Sequence, residues 1–366
     1  MHTVHPTLLI GPSDWQSERM PESEFTRRID TLWQVHPTAT RAIVYGSPRH
    51  HAELAYLTNL VPKLEAAVAL LTRDTEPKLF LGGGPNMVGA AKPLTWISDL
   101  APLRSGQAVG QTAVAGISAY KIVVIGGGAM PTAFRQSMNE AMGGEATDAT
   151  ADVWKQMAAK SSHEMAAIVG ACGVLHAAVA AIDQSKHTSV TTAVLAGERA
   201  ANQAGAQDVR ILFSRNGGRT LEPFVTRVNE TADPFQVYVA VRHLNYWAEG
   251  FAHLSARPNA AKSKAMDVLK RVLIRMRAGI PTRDIANLIE SSIRSDAPHP
   301  VTMHSCLNAI GLGLEEAPYA DAGQTIEAGN VYSLKAGLQN VAGQHAIVSA
   351  TVAVHKGGND VLWISP

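Results

Sequence analysis

Short apolar runs rich in β-branched residues alternate with helical stretches over the first third of the chain. Arg41 to Tyr45, Ala66 to Leu71, Lys78 to Leu81 and Lys121 to Ile125 are each closed by Gly, Pro or Asp nearby, which predicts four strands separated by helices. An α/β domain over residues 1–152 is expected. From Ala151 the texture changes. Trp154 to Ile182 is Ala-rich, with apolar residues at helical spacing, no Pro and two Gly, and predicts one long amphipathic helix. Thr191 to Ala204 reads as a second helix, then Val209 to Phe213, Pro234 to Val241 and Ala248 to Leu254 as strands. A helix from Ala260 to Arg277, a break at Gly279-Ile280-Pro281, a helix from Thr282 to Ser295 and further strands complete the chain. The order helix, helix, strands thus occurs twice at a spacing of roughly 100 residues, too long for a solenoid. One domain of two similar halves enclosing a cleft is expected over residues 153–366.

Composition narrows the function. The chain has 366 residues, 46% hydrophobic and 17% charged, ordinary for a soluble globular protein of two domains. Its 32 Lys plus Arg against 31 Asp plus Glu form no long block of one sign to follow a phosphate backbone, so no nucleic-acid partner is expected. Cys172 and Cys306 are too few for a disulfide framework and sit among apolar residues. A reducing, cytoplasmic setting is expected. The start lacks a basic region followed by an apolar run, and no membrane-spanning stretch of about 18 apolar residues is expected.

Several motifs resemble the pita-bread family of aminopeptidase P, prolidase, methionine aminopeptidase and creatinase, over most of the chain. Lys160-Ser161-Ser162-His163-Glu164 resembles the segment that opens the family's catalytic domain, and Arg277 to Thr282 the turn before its later helix. Tyr56-Leu57-Thr58-Asn59 is similar to a turn of its first domain. Leu307 to Tyr319 has the frame of the family's metal-binding histidine motif, and Thr325 to Gly337 resembles the strand that carries a glutamate ligand. The resemblance implies a creatinase-like N-terminal α/β domain followed by a pita-bread α+β domain with a curved antiparallel sheet.

Metallo-members of the family bind two ions with two Asp, one His and two Glu, because hard oxygen ligands and one imidazole hold a bridging hydroxide. Motif by motif, those positions hold His243, Leu254, Asn308, Lys335 and Ser349. An ammonium at a ligand position is incompatible with paired cations, so no metal and no other cofactor is expected. Creatinase and ectoine hydrolase are members thought to work without metal. The base position of creatinase holds Leu221 here, with Glu222 beside it, and its carboxylate partner is Lys335, so that mechanism does not transfer unchanged.

If the cleft is retained, His243, Asn308, Lys335 and Ser349 are expected to converge on it, since alternate side chains of a strand share a face. His243 or Glu316 would activate water, and Lys335 would bind a substrate carboxylate or stabilise an oxyanion. The alternative for Lys335 is a salt bridge with Glu316 or Glu249 filling a dead site. His304 and Cys306, just before the motif, form a candidate binding or nucleophilic pair. Family members place the first domain of one subunit near the cleft of a dimer partner, which makes Arg49 and His51 candidate substrate contacts in a homodimer. The triple glycines Gly82 to Gly84 and Gly126 to Gly128 are expected to be tight turns rather than phosphate cradles, because Pro85 and Pro131 remove amide donors.

These observations predict a metal-independent hydrolase that cleaves a C–N bond of amide, urea or guanidine type in a small polar molecule. Two alternatives stand beside it. One is a non-catalytic pita-bread protein, a binding module or a silent subunit of a larger enzyme. The other is a lyase on the same fold.

Overall fold

The computed structural model describes residues 14–214, 218–224, 227–255, 257–293, 297–298, 306–316 and 324–366. The chain divides into two compact units, the first ending at Met157 and the second beginning at Ala158.

The first unit is a six-stranded sheet with helices. Its strands are β1 (Arg41–Gly46), β2 (Ala67–Thr72), β3 (Lys78–Leu81), β4 (Asp99–Pro102), β5 (Ile122–Ile125) and β6 (Thr147–Asp148), in the spatial order β4-β3-β2-β1-β5-β6. The four sequence-predicted strands appear within a residue of their expected limits. β1 pairs antiparallel with β2 and parallel with β5. Ile43, Val68, Ile122 and Val124 join the core of the sheet, as apolar runs covered on both faces should. The helices are α1 (Glu22–Val35), α2 (Ala52–Thr58), α3 (Pro85–Ala91), α4 (Gly106–Val114), α5 (Thr132–Met142) and α6 (Thr150–Ala158). Helices α4 and α5 touch backbone to backbone. A Cβ at Gly106 would sit 2.1 Å from Phe134 O, and one at Gly110 2.5 Å from Met138 O. Both triple-glycine segments turn through left-handed backbone, at Gly83 (φ 87°) and Gly126 (φ 74°), a region that favours glycine.

The second unit contains the repeated halves. The first half is α7 (Ser162–Ser185), α8 (Val190–Gln203), β7 (Asp208–Ser214), β8 (Glu222–Pro223), β9 (Phe235–His243) and β10 (Tyr246–Leu254), with strand order β10-β9-β7-β8. The second half is α9 (Ala260–Arg275), α10 (Thr282–Ser292), β11 (Ala297–Pro298), β12 (Leu307–Ala309), β13 (Val331–Gln339), β14 (His345–His355) and β15 (Gly358–Ile364). Here the order is β11-β13-β14-β15, with β12 also paired to β13. All pairings in both sheets are antiparallel.

The single helix expected over Trp154 to Ile182 is instead α6 and α7, broken at Ala159 to Ser161. Ser161 caps α7 with a complete capping box: its hydroxyl accepts from Glu164 N, and the Glu164 carboxylate accepts from Ser161 N. Such a box satisfies two helix-end amides at once and outweighs the helix propensity of the Ala-rich flanks. A second expectation is also corrected, because α7 is long and apolar enough to cross a membrane by composition. Half of that window is buried inside the protein, and Ala167, Ala171, Leu175 and Ile182 are core residues.

Alternation decides which face of the second sheet meets the helices. Tyr332, Leu334, Ala336, Val348, Ala350 and Val352 form one core with Ala265, Leu269 and Val272 of α9. The intervening residues, Ser333, Lys335, Ser349 and Thr351, therefore share the opposite face. In the first sheet His243 and Tyr246 stand opposite each other at the end of a hairpin whose turn is Leu244-Asn245, both with positive φ.

Candidate functional site

The polar face of the second sheet carries a charged cluster. Lys335 opposes Ser349 across β13 and β14, and Asn308 opposes Ser333 across β12 and β13, so register alone brings Lys335 and Asn308 to one face. The Lys335 ammonium donates to Asn308 Oδ1 at 2.8 Å and pairs with Glu249 Oε1 at 2.9 Å. Asn308 donates through Nδ2 to Leu314 O at 2.7 Å and to Glu249 Oε1 at 3.2 Å. Tyr238 donates its hydroxyl to Glu249 Oε2 at 2.6 Å. Burial, then the Glu249 charge, pushes the Tyr238 phenol well above its ordinary range, so it remains a donor at neutral pH. Lys335, Asn308 and Glu249 are all buried.

A second buried pair lies on the segment that follows Asn308. Lys160 Nζ meets Glu316 Oε2 at 2.5 Å, and both side chains are almost fully enclosed, 2% and 3% exposed. Glu316 Oε1 also accepts from Gly313 N at 3.2 Å. The carboxylate folds over Gly311, where an added Cβ would lie 2.6 Å from its oxygens. A bridge from Glu316 to Ala309 then returns the loop to β12, and Lys160 N is held by Gly329 O at 2.9 Å.

Of the residues singled out in the sequence, Lys335, Asn308 and Ser349 share one face, and Glu316 closes the loop beside Asn308. Ser349 is used structurally: its Oγ accepts from Phe251 N at 2.7 Å, joining β10 to β14. His243 is not brought to this cluster. Its Nδ1 lies 3.0 Å from Gly205 O, and its ring packs on Gly170 of α7, where a Cβ would stand 2.9 Å from Cδ2. Tyr238, which does reach Glu249, is five residues earlier on the same strand. An odd separation puts the two side chains on opposite faces. His243 pairs with Tyr246 and Leu254 with Phe235, so these two positions lie far apart on the hairpin, and the expected convergence of His243 on the cleft is corrected.

Glu222 lies on β8 opposite Phe213. That strand is at the far edge of its sheet from β10, about 14 Å away at ordinary strand spacing. Arg49 and His51 belong to the first unit, Arg49 on an exposed turn and His51 at the N-cap position of α2. His304 lies outside the described residues. Cys306 is partly buried, and burial with the Glu290 charge raises its thiol pKa, which disfavours a nucleophilic thiolate.

Glu249 and Tyr238 are the residues that sequence reading missed as functional candidates. Glu249 was foreseen only as a salt-bridge partner for Lys335. Its signal was a lone carboxylate in the middle of the mostly apolar segment Tyr246 to Leu254. Lys160 opens a recognised segment, but its partner Glu316 is 156 residues away.

The donor set does not suit paired divalent ions. Two of its members are ammonium groups already paired with the two carboxylates, and Asn308 and Ser349 are neutral and weak ligands for such ions. Among the described residues no three His, Cys, Asp or Glu side chains come together as a metal site.

No family model matches the chain, and no curated protein matches its sequence. Solved structures do resemble its fold. An X-Pro aminopeptidase from Thermotoga maritima superposes with a TM-score of 0.78 at 14% identity, covering 93% of this chain and 98% of that one. An Xaa-Pro dipeptidase from Bacillus anthracis gives 0.75 at 15% identity, covering 93% and 98%. A prolidase from Pyrococcus horikoshii gives 0.74 at 15% identity, covering 94% and 99%. The fold is the pita-bread fold of these peptidases, with an α/β unit before it.

Proposed function

We propose that this chain is a hydrolase that cleaves a C–N bond in a small polar molecule without a metal ion, using water activated by a side chain. The observation that carries the reading is the Glu249–Lys335–Asn308 cluster on the sheet face turned away from α9. Burying a lysine and a glutamate is costly unless they are paired and put to use. In this reading Glu249 accepts a proton from water while the water oxygen bonds to the substrate carbon. Lys335 and the Asn308 amide hold the developing oxyanion. The C–N bond then breaks, and the proton on Glu249 passes to the leaving nitrogen. Tyr238 keeps Glu249 oriented. Glu316, held by Lys160, fixes the loop whose Leu314 carbonyl accepts from the Asn308 amide. The peptidases that share the fold act on C–N bonds, which supports the reaction class.

The same reading takes the protein as a cytoplasmic homodimer. Arg49, His51 and His304 would contact substrate from the rim of the cleft, with Arg49 and His51 supplied by the partner subunit.

The test is a panel of small amides, ureas and guanidines assayed with the chelator EDTA present. Turnover that persists with EDTA and falls at least a hundredfold in Glu249→Gln and in Lys335→Met supports the reading. Turnover abolished by EDTA, or unchanged in both variants, refutes it. A second reading, a fold kept for binding alone, is favoured by one feature: Glu249 and Lys335, like Glu316 and Lys160, neutralise each other. It predicts ligand binding with no turnover across the panel.

A further inference from the structure

A cavity of about 390 Å³ lies at the ends of the strands in the second unit, lined by Arg219, Asp233, Pro234, Arg257, Gln344 and His345 among others. Its volume is within the range of small-molecule sites. The charges in its wall are unequally committed. Arg257 Nε lies 3.6 Å from Asp233 Oδ2, and Ser255 donates to Asp233 Oδ1 at 2.6 Å, so this cation and carboxylate offset each other. Arg219 has no carboxylate among the described residues. Its Nε donates to His345 Nε2 at 3.3 Å, and the two terminal amino groups of this exposed side chain have no acceptor among the described residues. Burial, then the Arg219 charge, lowers the His345 pKa, so the ring is a neutral acceptor at neutral pH. Gln344 accepts at Oε1 from Asn340 at 2.9 Å, and its amide nitrogen has no acceptor among the described residues.

The wall behind these donors is a hydrogen-bonded network. Asn259 caps α9 through Lys262 N and donates to His345 O at 3.4 Å and to His253 Nε2 at 3.1 Å. His253, fully buried, donates through Nδ1–H to Gln236 Oε1 at 3.2 Å. Gln236 then ties β9 to Ile347 of β14 through two backbone bonds. A satisfied buried network of this kind orients the groups in front of it.

We propose that this cavity binds a small monocarboxylate with an apolar body. Arg219 and the Gln344 amide would hold the carboxylate, and the rings of Pro234 and of Pro258, which also lines the cavity, would contact its carbon skeleton. A planar carboxylate fits the two terminal amino groups of a guanidinium. With Arg257 offset by Asp233, the wall offers, among the described residues, the one uncompensated positive charge of Arg219, which suits a monoanion better than a dianion such as phosphate. The proposal does not rest on the hydrolase reading, and its test reads binding rather than turnover.

The experiment is calorimetric titration of the full chain with sodium benzoate, and separately with inorganic phosphate, at constant ionic strength in chloride. Saturable benzoate binding is expected, weakened at least tenfold by Arg219→Ala, partly restored in Arg219→Lys and unchanged by Arg135→Ala in the first unit. Absence of saturable benzoate binding, equal affinity in Arg219→Ala, or tighter binding of phosphate than of benzoate would each overturn the proposal.

Discussion

Two buried lysine–glutamate pairs lie in the second unit, and their surroundings differ. Glu316 has Lys160 and one further donor, Gly313 N. Glu249 has Lys335 and two further donors, the Tyr238 hydroxyl and the Asn308 amide. The first pair ties a loop to the segment before α7 and depends almost wholly on one ammonium. The second is a side-chain network on a sheet face, in which each oxygen of Glu249 has its own hydrogen bond. Burial of a charge does not by itself mark a functional group. The number and kind of groups facing it separate a structural clasp from a candidate site.

Breaking the clasp should have the largest effect on stability. Lys160→Met leaves Glu316 enclosed with a single donor, and a loss of about 3–5 kcal/mol is expected in urea denaturation, as for other buried pairs cut on one side. Most of that loss should return in Lys160→Met combined with Glu316→Leu, since the uncompensated charge is then gone. Lys335→Met should be milder, about 2–3 kcal/mol, because Tyr238 and Asn308 still donate to Glu249. If the two losses came out in the reverse order, the distinction drawn between the pairs would fail.

An uncharged buried cluster provides a contrast with both pairs. Burial lowers the His253 pKa to about 4 from 6.5. The unfolded chain binds a proton in this window and the folded chain does not, so stability is complete above the unfolded pKa and declines as pH falls toward the folded one. The contribution lost between about pH 7.5 and pH 5 is on the order of 2 kcal/mol. Thermal unfolding of wild type and His253→Gln across this range measures it, the variant lacking this part of the slope. The smallest effect belongs to His243→Ala. It forfeits one bond to Gly205 O and some packing on Gly170, about 1 kcal/mol, and on the panel of C–N substrates it should leave turnover unchanged. Loss of turnover there would return His243 to the site and move the charged cluster to a structural role.

Much of the architecture was legible because its signals are local. Lys78 to Leu81 closes on glycine and forms β3 with the expected limits, and the repeated order of helices and strands in the second unit follows hydrophobic periodicity. The break between α6 and α7 was legible too, since Ser161 and Glu164 have the spacing of a capping box, but the Ala-rich helical pattern on either side masked it. The site was only partly legible. Motif frames put Asn308, Lys335 and Ser349 in β-forming segments, and the register sets them on one face of paired strands. The same reasoning failed for His243, because the turn at Leu244-Asn245 sets the phase of the hairpin, and a shift of one residue reverses every side chain.

The sequence by itself indicated most of the elements, the repeated order of helices and strands in the second unit and the motif frames that hold Asn308, Lys335 and Ser349, because those depend on neighbours along the chain or on motif spacing. Only tertiary structure decided which lysine meets which glutamate. Lys335 could have paired with Glu316 or Glu249, and Lys160 is 156 residues from the carboxylate it meets. Ion pairs across such separations follow from strand register and loop path, set by the packing of both sheets rather than by any local pattern of residues.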